Sequence, residues 1–406
     1  MELLYHTLKN GIRLVHHPVP GMVAHCGLII NTGSRDELDR EHGMAHFIEH
    51  MLFKGTRTRK AFHILSRMED VGGELNAYTT KEETAIHASF LNSHYARAIE
   101  IISDVAFNSV WPSKEIEKEK DVVIEEINSY KDNPAELIFD DFEEIVFDGQ
   151  PIGRNILGTY ESVRSFSRDI IIDFIERNYV TEEMVFCSVG NIPWQKLVRL
   201  FEQYFSGISS RSPMPSGYKD WTYNPVQISK DLDTWQAHCI IGNIAFDVHN
   251  QKRTGMILLN NILGGQGLNS RLNLSLREKN GFAYNVESSY NPYSDTGIFM
   301  IYFGTENKNL AKSLTIAHRE MRQLRTVRLG INQLTRAKNQ IKGYLARSYE
   351  NHENLMLSIG KSLQVFNRIE SIEEIYDKID KVDSSVILEI ANEVFDETRL
   401  SRLIYK

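Results

Sequence analysis

The sequence repeats itself at a nearly constant distance. Ala24-His25-Cys26 returns as Ala237-His238-Cys239, 213 residues on, and Gly43-Met44 returns as Gly255-Met256, 212 residues on. Leu75-Asn76-Ala77-Tyr78 has its counterpart in Gly281-Phe282-Ala283-Tyr284, 206 residues on. One such match is weak, but common order and spacing make the 406 residues read as two copies of one plan. Each copy, about 200 residues, is an ordinary domain size. Between them lies Ser- and Pro-rich text. The expected organisation is an N-terminal repeat at 1–208, a linker at 209–225 and a C-terminal repeat at 226–406.

Local signals give each copy an α+β character. Asn10-Gly11 predicts a hairpin between Tyr5–Leu8 and Ile12–Val15. Val23–Ile30, Leu75–Thr79 and Thr84–Leu91 read as strands. Helices are expected at about 43–53, 62–71, 94–110, 113–130, 135–147, 162–179 and 194–205. A closing strand ends each half, at Met184–Val189 and Leu400–Tyr405. The fold expected is therefore two homologous α+β repeats, each a mainly antiparallel sheet packed with helices.

Composition excludes several classes. A net charge of −8 argues against nucleic acid as a partner, because phosphates call for a basic face. No run approaches the ~18 apolar residues of a membrane span. The first residues carry no basic start followed by an apolar core, so no secretory signal is expected and the location expected is cytoplasmic. Cys26, Cys187 and Cys239 are far apart in apolar runs, and read as buried free thiols.

The chemistry concentrates at His46-Phe47-Ile48-Glu49-His50. On a helix of 3.6 residues per turn, two imidazoles four residues apart share a face, and Glu49 shares it with them. Two histidines and an acid on one face are an ordinary way to hold Zn²⁺ and activate water, and H-x-x-E-H inverts the familiar H-E-x-x-H. The repeat sharpens this. Carrying the 212 offset through puts Leu258, Asn261 and Ile262 opposite His46, Glu49 and His50. The second copy keeps the helix and loses the ligands, so one site per chain is expected.

A second clue lies on the helix after Trp111-Pro112. Its spacing sets Glu119, Val122, Val123, Glu126, Ile127 and Tyr130 on one mostly apolar face. Carboxylates are rarely buried unpaired, so Glu119 and Glu126 are either salt-bridged at the core edge or wait for a cation.

With these residues assembled, the chain resembles the pitrilysin-type (M16) inverzincin peptidases, which include insulin-degrading enzyme and the mitochondrial processing peptidase. Gly43–Thr56 carries the resemblance. In that family a third ligand lies about 76 residues past the second histidine, which implies Glu126 in Asp121-Val122-Val123-Ile124-Glu125-Glu126. The resemblance further implies that Glu119 supports a ligand histidine, and that Asn76, Ala77 and Tyr78 lie on a substrate-binding edge strand. It also implies that Arg277 and Tyr284 clamp substrate. Departures are small: Ile48 for Leu, Asn280 for a basic residue, and Gln266-Gly267-Leu268 in the glycine-rich loop.

The function expected is that of a zinc endopeptidase acting on peptides or unfolded segments. One Zn²⁺ per chain is held by His46, His50 and Glu126, with Glu49 as general base. Two repeats resemble the short bacterial branch. That implies a homodimer, or a heterodimer with a homologue, in which Arg277 and Tyr284 act in one chain or across the pair. The alternative is a subunit that needs a partner chain for activity.

Overall fold

The computed structural model describes residues 1–212, 221–232 and 234–406; the middle of the expected linker, 213–220, lies outside the described residues. Two sheets form. The first has the order β1 (Leu4–Thr7), β2 (Arg13–Pro18), β6 (Met184–Gly190), β3 (Val23–Ile30), β5 (Thr84–Leu91), β4 (Glu74–Thr79). The second has the order β7 (Gln227–Lys230), β11 (Ser401–Tyr405), β8 (Ala237–Ala245), β10 (Gly297–Thr305), β9 (Ala283–Pro292). β2 runs parallel to β6 and β7 parallel to β11; the remaining pairs are antiparallel. Leaving β1 aside, the two sheets have one topology. Ala24-His25-Cys26 sits on β3 and Ala237-His238-Cys239 on its counterpart β8.

The helices of the first half are α1 (Met44–Met51), α2 (Ala61–Glu69), α3 (Tyr95–Phe107), α4 (Ser113–Lys131), α5 (Pro134–Val146), α6 (Tyr160–Ser165), α7 (Arg168–Asn178) and α8 (Trp194–Phe205). Those of the second are α9 (Arg253–Gly264), α10 (Leu310–Thr326), α11 (Ile331–Tyr349), α12 (His352–Phe366), α13 (Ile372–Lys381) and α14 (Ser384–Val394). The single helix expected at 162–179 is two, because Ser167 caps a new N-terminus by accepting from the Ile170 amide. Among the described residues, no helix is long and apolar enough to cross a membrane.

The compact units do not follow chain order. One comprises Met1–Asn128, the segment from Arg154 to the linker, and Arg347–Glu370; the other comprises Ser129–Gly153 and the rest of the second half. Helix α5 therefore covers the second sheet, with Ile138, Phe142 and Val146 packed on Ile240, Met300 and Leu403. Helix α12 covers the first, with Leu355, Met356 and Ile359 on Ile29, Val185 and Cys187. The approach of α12 is close. A Cβ on Gly360 would lie 2.5 Å from Ile29 Cδ1 and 2.7 Å from Cys187 Sγ. On the other face of the first sheet, α1 and α3 bury Met44, Phe47, Ile48, Ile99 and Ile102 in the unit's larger core. The three cysteines are buried free thiols.

Candidate metal centre

Helix α1 is short and mostly buried. Phe47, Ile48 and Met51 face the core, and this fixes the opposite stripe, His46, Glu49 and His50, toward β4 and α4. The chain can enter α1 sharply because Gly43 takes φ +92°, a left-handed conformation that suits glycine.

Helix α4 brings the acids. His50 Nε2 lies 3.4 Å from Glu126 Oε2, and His46 Nε2 lies 3.8 Å from the same oxygen. One ligand atom from each of the three residues falls within 4.8 Å of the others. A tetrahedral zinc with bonds of about 2.0–2.1 Å sets its ligand atoms roughly 3.3 Å apart, so these three can hold zinc once the ligands draw inward. On the far side of the His50 ring, Nδ1 is 2.9 Å from Glu119 Oε1, whose other oxygen is 2.6 Å from Lys54 Nζ. A proton held on Nδ1 by Glu119 would leave the Nε2 lone pair for a metal, whereas a protonated Nε2 donates to Glu126. His46 Nδ1 is buried without a hydrogen-bond partner.

The electrostatics are those of a cation site. Burial pulls the His50 imidazole down, but its hydrogen bonds to Glu119 and Glu126 and their charges outweigh burial and push it up to about 9. A proton there stands where a metal's charge would. Burial, then the nearby His50, lowers His46 to about 4, which keeps it a neutral ligand. The hydrogen bond from His50 holds Glu126 below the usual carboxylate range, against burial. Burial raises Glu119, but His50 and Lys54 more than reverse that and hold it low. Glu49 moves the other way: burial lifts it, partly opposed by a hydrogen bond to Thr79.

Sequence spacing placed Val122 on the core face of α4, yet it is 49% exposed. The face that packs is Ile116, Val123, Ile124 and Ile127, leaving Glu119 buried and Glu126 half exposed at its margin. Asn76, Ala77 and Tyr78 lie on β4, which pairs only with β5 among the described strands and so leaves one backbone edge free beside α1. The Tyr78 hydroxyl donates to Glu83 Oε1 over 3.1 Å. Arg277 and Tyr284 belong to the other unit. Arg277 lies in a π-helical turn, Asn273–Glu278, with its guanidinium 5.1 Å from the Tyr284 ring centroid. Tyr284 is 77% exposed, and both line a cavity of about 770 Å³ along β9. Lys54 and Thr79 are neighbours of the site that sequence reasoning did not single out. Lys54 lies one helical turn past His50, a spacing that could have marked it.

Known proteins match nearly the whole chain. The family model described as insulinase (peptidase family M16) matches residues 14–160, and the model described as peptidase M16 inactive domain matches 165–341. An uncharacterized zinc protease of Rickettsia bellii is 33% identical over 399 residues, covering 98% of this chain and 96% of that protein. The uncharacterized zinc protease YmxG of Bacillus subtilis is 31% identical over 401 residues, covering 98% and 97%. A protease from Helicobacter pylori of known structure superposes with a TM-score of 0.92 at 19% identity, over 100% of this chain and 99% of that one.

Proposed function

The chain belongs to peptidase family M16, and from that premise we propose that it is a zinc-dependent endopeptidase for peptides and unfolded segments. The observation that carries the reading is the convergence of His46, His50 and Glu126 on one point with Glu49 beside it. These three residues hold the ion, one per chain. Zinc in such a site lowers the pKa of water and polarises a carbonyl oxygen. Glu49 takes the proton of the attacking water and delivers it to the leaving amine, and burial, which raises its carboxyl above the usual carboxylate range, helps it to hold that proton. Glu119 orients His50 through Nδ1. The free edge of β4, at Asn76, Ala77 and Tyr78, takes an extended substrate by strand addition, a mode that reads backbone more than side chain. Arg277 and Tyr284 steady the substrate. The halves 1–208 and 226–406 are read as catalytic and non-metal repeats, which their shared sheet topology supports. The working form is a homodimer, or a heterodimer with a homologue, in the cytoplasm.

The deciding experiment pairs elemental analysis with cleavage of a quenched peptide. About one zinc per chain is expected, with activity lost to chelator and restored by zinc. Glu49→Gln keeps the zinc and loses at least about 10²-fold in kcat. Normal turnover by that variant removes Glu49 as the base. A wild type that is inactive alone but active with a co-purifying homologue replaces the self-sufficient enzyme with the partner-dependent one.

A further inference from the structure

Helix α1 begins with a glycine, which has no side chain to cap it. Its first amides have no acceptor within the helix and lie in the protein interior. Glu37, seven residues before the helix and 4% exposed, takes up two of them. Its Oε2 accepts from the Gly43 amide and its Oε1 from the Ala45 amide, each over 2.9 Å. One buried carboxylate therefore spans the start of the helix that carries His46, Glu49 and His50.

Glu37 is itself held on several sides. The Ser34 amide donates to Thr80 O over 3.1 Å and the Arg35 amide to Lys81 O over 2.9 Å, while the Arg35 guanidinium pairs with Glu82. Those acceptors form the turn that joins β4 to β5. There is no slack: a Cβ on Gly33 would lie 2.4 Å from Thr80 O. On the other side, Arg154 pairs with Asp39, Lys81 Nζ donates to Arg154 O over 2.5 Å, and His42 Nε2 lies 2.8 Å from Asn155 O. Gly158, at φ +81°, passes so close that a Cβ on it would meet His42 O at 2.5 Å. The residues before α1 are thus clamped between the β4–β5 turn and the 154–158 segment.

Building on the zinc-peptidase reading, we propose that Glu37 is a positioning residue of the reaction: it fixes the rotation and height of α1, and so the placement of His46, Glu49 and His50 against Glu126. The loop that carries it also holds the end of β4, so the metal helix and the substrate edge share one frame. Burial pushes the Glu37 carboxyl up to about 8, against the pull of the two amides and Arg154. Both oxygens accept an N–H, which is the geometry of the ionised form, so the test belongs at pH 8.5 or above.

Glu37→Gln keeps the volume and turns one acceptor into a donor facing an amide. Supporting groups around metal ligands are typically worth 10–100-fold in metal affinity or activity. Glu37→Gln should therefore weaken zinc binding, measured by chelator competition, by about tenfold or more. It should lower kcat by a similar factor with KM within about twofold. Glu37→Asp, which keeps the charge on a shorter arm, should recover part of both. The control is Glu41→Gln. Glu41 is fully buried in the same loop, and its described bonds go to the Leu38 amide and Arg177, not to an amide of α1. It should leave zinc affinity within about twofold. Equal zinc affinity and kcat in Glu37→Gln and wild type overturns the inference alone, as does an equal loss in Glu41→Gln. A wild type that takes up no zinc overturns the zinc-peptidase reading and this inference with it. If Glu37→Gln cannot be recovered folded, amide hydrogen exchange on the wild type decides. Gly43 and Ala45 should exchange as slowly as the interior of α1, and exchange at the rate of uncapped ends refutes the cap.

Discussion

His50 Nδ1 and Glu119 Oε1 lie 2.9 Å apart, on the side of the imidazole away from Glu126. That contact sets the tautomer, and Lys54 keeps Glu119 charged from beyond. Glu119→Gln removes the charge and leaves Lys54 facing a neutral amide. Zinc affinity should fall by about 10–100-fold with the fold intact. Chelator competition beside circular dichroism checks it, and unchanged affinity would show that Glu119 serves the core edge only.

Thr79, the last residue of β4, hydrogen-bonds the Glu49 carboxylate, and its hydroxyl also lies 3.5 Å from Ala45 O. Thr79→Val keeps the shape and removes the hydroxyl donor, leaving the Thr79 amide to bond Glu49. Since a hydrogen bond to a charged group is worth about 1.5–3 kcal/mol, kcat should drop roughly tenfold or more while bound zinc stays constant. Steady-state kinetics with zinc quantified on the same sample separates the two.

The site was legible in the sequence where chemistry leaves a local mark. Imidazoles four apart on a helix need only the helix, whereas the helical face left Glu126 open between a salt bridge and a ligand until the family resemblance implied the second. The repeat was legible because matched text falls on matched strands, β3 and β8. What sequence hid was set by contacts without a period. Val122 looked apolar and inward, but the apolar residues of α4 that bury are Ile116, Val123, Ile124 and Ile127. Glu37 gave no motif, because an acid seven residues outside a helix caps it only if the loop folds back. The exchange of α5 and α12 between units left no trace either, since an amphipathic helix fits one apolar sheet face as well as another.

His16 is fully buried on β2, with Nδ1 3.1 Å from Ser188 Oγ. Burial lowers it to about 4. An unfolded histidine takes up its proton near pH 6.5, so between about 6.5 and 4 the unfolded chain binds a proton the folded one refuses. Stability should fall as pH drops through that window, by an amount on the order of 3 kcal/mol from this residue. His16→Asn, which retains a group able to meet Ser188, should flatten that part of the curve. Urea unfolding of both proteins from pH 7.5 to 4 measures the difference, and parallel curves would rule out His16 as a source.

Phe142 and Met356 test the exchange of helices directly. Phe142 belongs to the first half of the chain but is fully buried against the second sheet, and a Cβ on Gly242 would lie 2.8 Å from its ring. Met356 belongs to the second half but is fully buried on the first sheet, its sulfur 3.0 Å from Cys187 Sγ. Phe142→Ala should cost about 3–5 kcal/mol and Met356→Ala about 2–5 kcal/mol, because each leaves a cavity between helix and sheet. The losses should appear in crossed places. Hydrogen exchange should quicken in β8 and β11 for Phe142→Ala, and in β3 and β6 for Met356→Ala. If each variant instead loosens the sheet of its own half of the chain, α5 and α12 pack as chain order would have them, and the helices are not exchanged. Because the zinc ligands all lie in the unit that α12 covers, Met356→Ala should also release metal at lower urea than Phe142→Ala does.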